Sequence, residues 1–310
     1  MSIQADMWLA FGALVIIMLF IDLGLSRKSH EISFREALTW TVVWISLAMI
    51  FNFGVYHYLG RTKALEFFTG YVIEKSLSVD NLFVFIMIFS YFNIPRLYQP
   101  KILKWGIIGA LVLRAVFIFA GIELLAAFHW MIYIFGGILI VTGIKMAFGG
   151  EEKLEPEKNL LVKLVRRYVP ITKRLHGNRF FINRRGVRAT TPLFLALLLV
   201  EWSDVIFALD SLPAVFAVTR DPFIVYTSNV FAILGLRALF FLLSRVMGMF
   251  TYLKLGISFV LAFVGVKMLL ADTRFEIPVQ FSLGVIFGAL LISITISILM
   301  DKRGGKSGQE

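Results

Sequence analysis

The chain has 310 residues, with 31 Lys plus Arg against 20 Asp plus Glu and no cysteine. Its 59% hydrophobic and 16% charged residues and a mean hydropathy of +0.83 exclude an ordinary soluble domain, in which roughly a quarter of residues are charged. Without cysteine there is no disulfide framework, thiolate metal site or cysteine nucleophile.

Nine apolar runs approach the roughly 20 residues that cross hydrocarbon: 7–25, 37–59, 67–92, 102–125, 130–149, 191–216, 223–243, 252–271 and 277–300. The first lacks a basic leader and a small-residue cleavage site, so it reads as a retained span rather than a signal peptide. Ser33 and Glu36 have the spacing of a capping box before the second, and "FNIP" at 92–95 ends the third. The long polar connector 150–190 includes a basic amphipathic stretch expected to lie against lipid headgroups. Thr191-Pro192 and Asp221-Pro222 each place a capping side chain before a first-turn proline, and Pro213 is the expected break in the sixth run.

Alternate connectors carry 22 Lys and Arg on one side of this topology and 4 on the other. The positive-inside rule puts the amino terminus outside and the carboxyl terminus in the cytosol. The basic residues sit in short connectors rather than along one polar face. The expected partners are therefore anionic lipids, not nucleic acid.

The polar residues inside the runs recur in order. "EKSLSVDN" at 74–81, Arg114 and Lys145 are followed by "DVIFALDS" at 204–211, Arg237 and Lys267, which pairs Glu74 with Asp204 and Asp80 with Asp210. Blocks of three spans enter the bilayer from opposite sides, as in the inverted repeats of many secondary transporters. The expected fold is thus an all-α polytopic membrane protein of about nine transmembrane helices with two inverted three-helix repeats. Its parts are leading helices in 1–66, a first block 67–149, the connector 150–190, a second block 191–271, and a closing helix with tail in 272–310.

Glu74, Ser78 and Asn81 share a helical face, as do Asp204 and Ser211, and Glu201 is three residues before Asp204. Carboxylates, hydroxyls and an amide suit a hard cation such as manganese, calcium or magnesium. His30, His57, His129 and His176 fall at span ends or in connectors, which argues against an imidazole-rich zinc site. The candidate metal ligands are Glu74, Asp80, Asp204 and Asp210, with Asp22 and Asn81 able to complete the set; purely structural ion pairing is the competing reading. Arg114 and Arg237 are candidates to stabilise the empty acidic cavity, Lys75 is a candidate charge partner, and Gly136, Gly137 and Gly143 should permit close helix packing.

The paired acidic motifs, followed in each block by "LR" and "KM" segments, resemble the TerC family. "TGYVIEKSLSVDNLFVF", "RFFINRRG" and "TRDPFIVYTSNVFAILGLRA" resemble its Alx-like branch, and the likeness runs over roughly residues 5–300. The resemblance implies a manganese(II) exporter associated with alkaline response, related to LysE-type transporters and historically linked to tellurium resistance. Glu74, Asp80, Asp204 and Asp210 match the family's acidic motifs, and Asp22 and Asn81 match polar positions of Alx-like proteins. Manganese is then the substrate and protons a candidate counter-ion, with no bound cofactor and no enzymatic activity. A broader divalent-cation permease and a membrane redox or stress-associated scaffold are the alternatives.

Overall fold

The computed structural model describes residues 3–24, 33–128, 130–148, 170, 172, 175–184, 187–246, 253–270, 273, 275 and 277–304. These form α1 (Ile3–Gly24), α2 (Phe34–Leu59), α3 (Arg61–Tyr91), α4 (Gln99–Ala127) and α5 (Met131–Phe148). After them come a hairpin of β1 (Phe181–Arg184) and β2 (Val187–Thr190), then α6 (Pro192–Phe216), α7 (Pro222–Ile233), α8 (Leu236–Val246), α9 (Leu253–Leu269) and α10 (Val279–Gly304). Among the described residues, five helices are long and apolar enough to cross a membrane, or six if α7 and α8 are one bent span. Large apolar side chains also face outward, including Phe20, Phe53, Val112 and Val141, each more than 60% exposed. A water-soluble protein rarely leaves so much contiguous apolar surface uncovered, whereas hydrocarbon solvates it. The protein is a multi-pass integral membrane protein.

Local chemistry sets several helix ends. The Ser33 hydroxyl accepts from the Glu36 amide at 3.2 Å, and Asp221 accepts from the amides of Phe223 and Ile224 at 3.0 and 3.4 Å. Thr191 departs from expectation. It occupies the N-cap position of α6, but its hydroxyl donates to the carbonyls of Arg179 and Phe180, which ties the helix to the segment before β1. The connector also differs from an all-helical reading, because β1 and β2 pair antiparallel with Phe181 opposite Thr190 and Ile182 opposite Ala189. Most of the remaining connector lies outside the described residues.

The chain break also lies elsewhere than expected. Pro213 sits inside α6, which continues to Phe216. So close to the helix end, the missing proline amide removes one hydrogen bond without ending the helix. The seventh apolar run is instead split at Leu234 and Gly235 and bent by 42°. Gly235 has φ +80°, and a Cβ there would lie 2.6 Å from the buried Trp44 ring of α2. Gly235→Ala therefore combines backbone strain with a steric conflict and should lower stability by about 1–3 kcal/mol, measured by unfolding in detergent.

Helices α3 and α4 each pack against both α6 and α7, while α5 packs along α9. The α5–α9 contact is close because a Cβ on Gly143 would come within 2.7 Å of the Ser258 carbonyl oxygen and one on Gly265 within 2.7 Å of the Gly136 carbonyl oxygen. Gly137 has open space around it, so it has no part in this contact. Buried side chains of α3, α6 and α7, among them Ile73, Leu77, Leu212 and Val225, pack into the core between these pairs.

Candidate functional site

The middle of α3, α4 and α6 meet at one arginine. Glu74, Arg114 and Asp204 each lie about half-way along their helices. The Arg114 guanidinium grips Asp204 with two donors, Nη2 to Oδ1 at 3.0 Å and Nε to Oδ2 at 3.4 Å. Its Nη1 pairs with Glu74 Oε1 and also reaches Ser211 Oγ and Asn229 Oδ1, both at 3.4 Å. All five side chains are buried. A planar, permanently charged fork can hold two carboxylates in this way, whereas a lysine is a single point charge.

The match is incomplete in charge and in hydrogen bonds. One guanidinium faces two carboxylates. Among the described residues, Glu74 Oε2 and Asn229 Nδ2 are buried without hydrogen-bond partners. A buried carboxylate oxygen with no donor is costly, and a proton or a cation would satisfy it. Among the described residues, no group of three His, Asp or Glu side chains is close enough to hold a metal ion.

Residues 59–305 match the integral membrane protein TerC family. The chain belongs to the TerC family. It is 52% identical to an uncharacterized membrane protein, STKORF319, of Myxococcus xanthus, over 97% of this chain and 94% of that one. It is 46% identical to a protein of Escherichia coli strain K12 provisionally named membrane-bound redox modulator Alx, over 97% and 96% of the two chains. A Salmonella typhi protein of the same name is 45% identical, again over 97% and 96%. No solved structure matches the chain.

In this TerC protein the sequence-derived candidates separate into four places. Glu74 and Asp204, the paired first acids of the two blocks, share Arg114. Ser78 and Asn81 are buried on α3, on the face expected of them. Asp210 is half-buried on α6 and accepts from Thr142 Oγ1 of α5 at 2.9 Å. Asp22 does not join Arg114. Its Oδ1 pairs with Arg237 Nη2 at 3.3 Å, and the same Nη2 donates to the Asp22 carbonyl at the end of α1. Arg237 thereby fastens α1 to the start of α8 instead of lining the shared acidic pair. The side chain of Asp80 lies outside the described residues.

Asn229 was missed in the sequence, and Lys75, expected as a charge partner, meets a backbone carbonyl instead. Asn229 belongs to the polar trio Thr227, Ser228 and Asn229, which is fully buried in an otherwise apolar helix; that trio was the available signal. Lys75 donates through Nζ to the Ala232 carbonyl at 3.1 Å. It meets the carboxyl-terminal end of α7, where the helix dipole and unmatched carbonyls favour a cation. Glu201 lies against α4 at Gly109, where a Cβ would collide with its carboxyl group, so α6 and α4 approach closely beside the Arg114 cluster.

Proposed function

We propose that this TerC protein exports manganese(II) from the cytoplasm by alternating access, with Glu74 and Asp204 as the central pair of cation-binding carboxylates. The observation that carries this reading is one guanidinium held between two acids from corresponding positions of the two sequence blocks, at mid-helix, with a Glu74 oxygen left without a donor. Arg114 then acts as a tethered counter-ion. A divalent cation replacing it would neutralise both carboxylates, whereas the arginine neutralises only one. Oxygen ligands from Glu74, Asp204, Ser211 and Asn229 suit a hard cation. Asp80, Asp210 and Asn81 lie within two helical turns of this pair and are the further ligands proposed for a shifted state. Asp22 is proposed as a ligand only in a state that breaks its pair with Arg237.

The packing supports the inverted-repeat reading. The first helix of each block contacts the second helix of the other, and the third helices contact each other, which is the reciprocity of a two-fold axis in the membrane plane. The α7–α8 break adds a discontinuous helix beside the site, a recurrent element of transporter ion sites. Protons are the proposed counter-ions, since protonation of the same oxygens releases a metal. The basic connectors support an inner-membrane orientation with the amino terminus outside and anionic lipids at the cytosolic face.

The name of the Alx relatives assigns redox modulation to them. Thiol–disulfide chemistry cannot occur within this chain, because it has no cysteine. Reconstitution in liposomes decides the substrate. Manganese uptake should be saturable, should respond to an imposed proton gradient, and should be inhibited by excess unlabelled manganese more strongly than by calcium or magnesium. Equal inhibition by all three would replace the manganese exporter with a broad divalent permease. No flux from folded protein under any gradient would exclude transport.

A further inference from the structure

Alternating access requires that the central acids be reached from one side at a time. The two ends of α3 are built differently, and at 1.5 Å per residue Lys63 and Phe89 are about 39 Å apart. At one end, Lys63 Nζ donates to Glu66 Oε2 at 2.9 Å and pairs with Asp221 Oδ2 at 3.0 Å. Thr219 Oγ1 donates to the same Glu66 oxygen at 2.6 Å and accepts from the Asp221 amide at 3.2 Å. Asp221 also caps α7 through its other oxygen. The start of α3 is thus tied to the α6–α7 connector and to the first turn of α7. Lys63 precedes the apolar stretch of α3. Partial burial pulls its pKa down, but the hydrogen bonds and charges of Glu66 and Asp221 outweigh this and hold it above the ordinary lysine value.

At the opposite end, α3, the α3–α4 connector and α8 surround a cavity of about 520 Å³, lined by Phe89, Ser90, Asn93, Arg96, Phe240 and Ser244 among others. The repeat makes the difference sharper. Glu74 and Asp204 are 130 positions apart, and Arg114 and Arg237 are 123 apart. In that register Lys63 and Glu66 correspond to Leu193 and Ala196, and Asp221 corresponds to Tyr98. These residues can pack, but they cannot form an ionic tie.

We propose that Lys63, Glu66, Thr219 and Asp221 are an ionic latch closing one end of the transport path, while the cavity beside Phe89 gives access from the other. This rests on the transport reading above. Parting the latch separates α3 from α7, which are in contact about one turn before Glu74. There a Cβ on Gly70 would lie 3.0 Å from Ser228 Oγ, and Ser228 precedes the Asn229 that touches Arg114. Opening therefore leads directly to the acidic pair.

The cysteine-free chain permits single-thiol reporters. Ser228→Cys reports the fully buried space behind the latch, and Ser244→Cys reports the cavity. In nanodiscs, which expose both faces to a membrane-impermeant thiol reagent, Ser244→Cys should react at least about tenfold faster than Ser228→Cys. Lys63→Gln or Glu66→Gln should raise the Ser228→Cys rate about tenfold and leave Ser244→Cys unchanged, as expected when a partly exposed ion network stops favouring the closed state. Lys63 and Asp221 retain about a third of their side-chain exposure, so salt near 1 M, with a Debye length of about 3 Å, should also speed Ser228→Cys with Lys63 present and not in Lys63→Gln. A Ser228→Cys rate indifferent to both substitutions and to salt overturns the latch, as does one equal to Ser244→Cys at the start. Because labelling needs no manganese, absent flux with salt-sensitive labelling would sink the transport reading alone.

Discussion

Arg114→Ala should destabilise the protein by about 3–5 kcal/mol, the usual consequence of removing one partner from a buried ion pair. The cost arises from Glu74 and Asp204, which would remain buried and facing each other without their shared cation. The substitution is therefore expected to be rescued by whatever neutralises those acids. Lowering the pH should restore much of the lost stability because the unpaired carboxylates then fold in their protonated form. Millimolar manganese should do the same at neutral pH, since a ligand that binds only the folded state stabilises it by mass action. Arg114→Lys should recover only part of the wild-type stability, because a point charge cannot grip Asp204 with two donors and reach Glu74 as well. Thermal unfolding in detergent across pH and metal concentration measures all of these. A variant insensitive to both acid and manganese would make Arg114 an ordinary packing residue.

The second large effect concerns transport. Glu74→Gln and Asp204→Asn should each reduce manganese flux by at least about 100-fold, because each removes a charged ligand and leaves Arg114 bound more tightly to the acid that remains. The double variant should be scarcely worse than either alone, since two residues acting on one ion are strongly non-additive. Asp22→Asn has a different expectation. Its partner Arg237 joins α1 to α8, and it is a ligand only once that pair breaks, so the loss should fall mainly on stability, with flux per folded molecule reduced less than by either central substitution. The ranking separates acids at the central pair from an acid that anchors a helix.

Much of this arrangement was legible as a repeated pattern. Glu74 and Asp204 stand out because acids rarely occur in apolar runs, and their recurrence ahead of two arginines implied that they would meet. The buried face of Glu74, Ser78 and Asn81 followed from helical spacing alone. Contacts made across long sequence separations were not legible. The pairing of Asp22 with Arg237 spans 215 positions and depends on where α1 ends against α8. The break at Gly235 is likewise tertiary. A glycine in an apolar run does not by itself end a helix, but one forced to φ +80° against Trp44 does. Pro213 carried the stronger local signal for a break, yet its position in the last turns of α6 makes it harmless. The hairpin at 181–190 was obscured by its arginines, which suggested a stretch lying against lipid headgroups, although Phe181 and Ile182 are good strand formers.

Manganese binding to the purified protein, followed by the loss of the free-ion electron paramagnetic resonance signal, tests the central claim most directly. Wild-type protein should bind manganese, and that binding should weaken as the pH falls and the same oxygens are protonated. Folded Glu74→Gln and Asp204→Asn should each bind at least about tenfold more weakly, in line with the loss of a charged metal ligand. Undiminished affinity in both folded variants would contradict the account, and the Arg114 cluster would then be an internal ion pair that holds α3, α4 and α6 together.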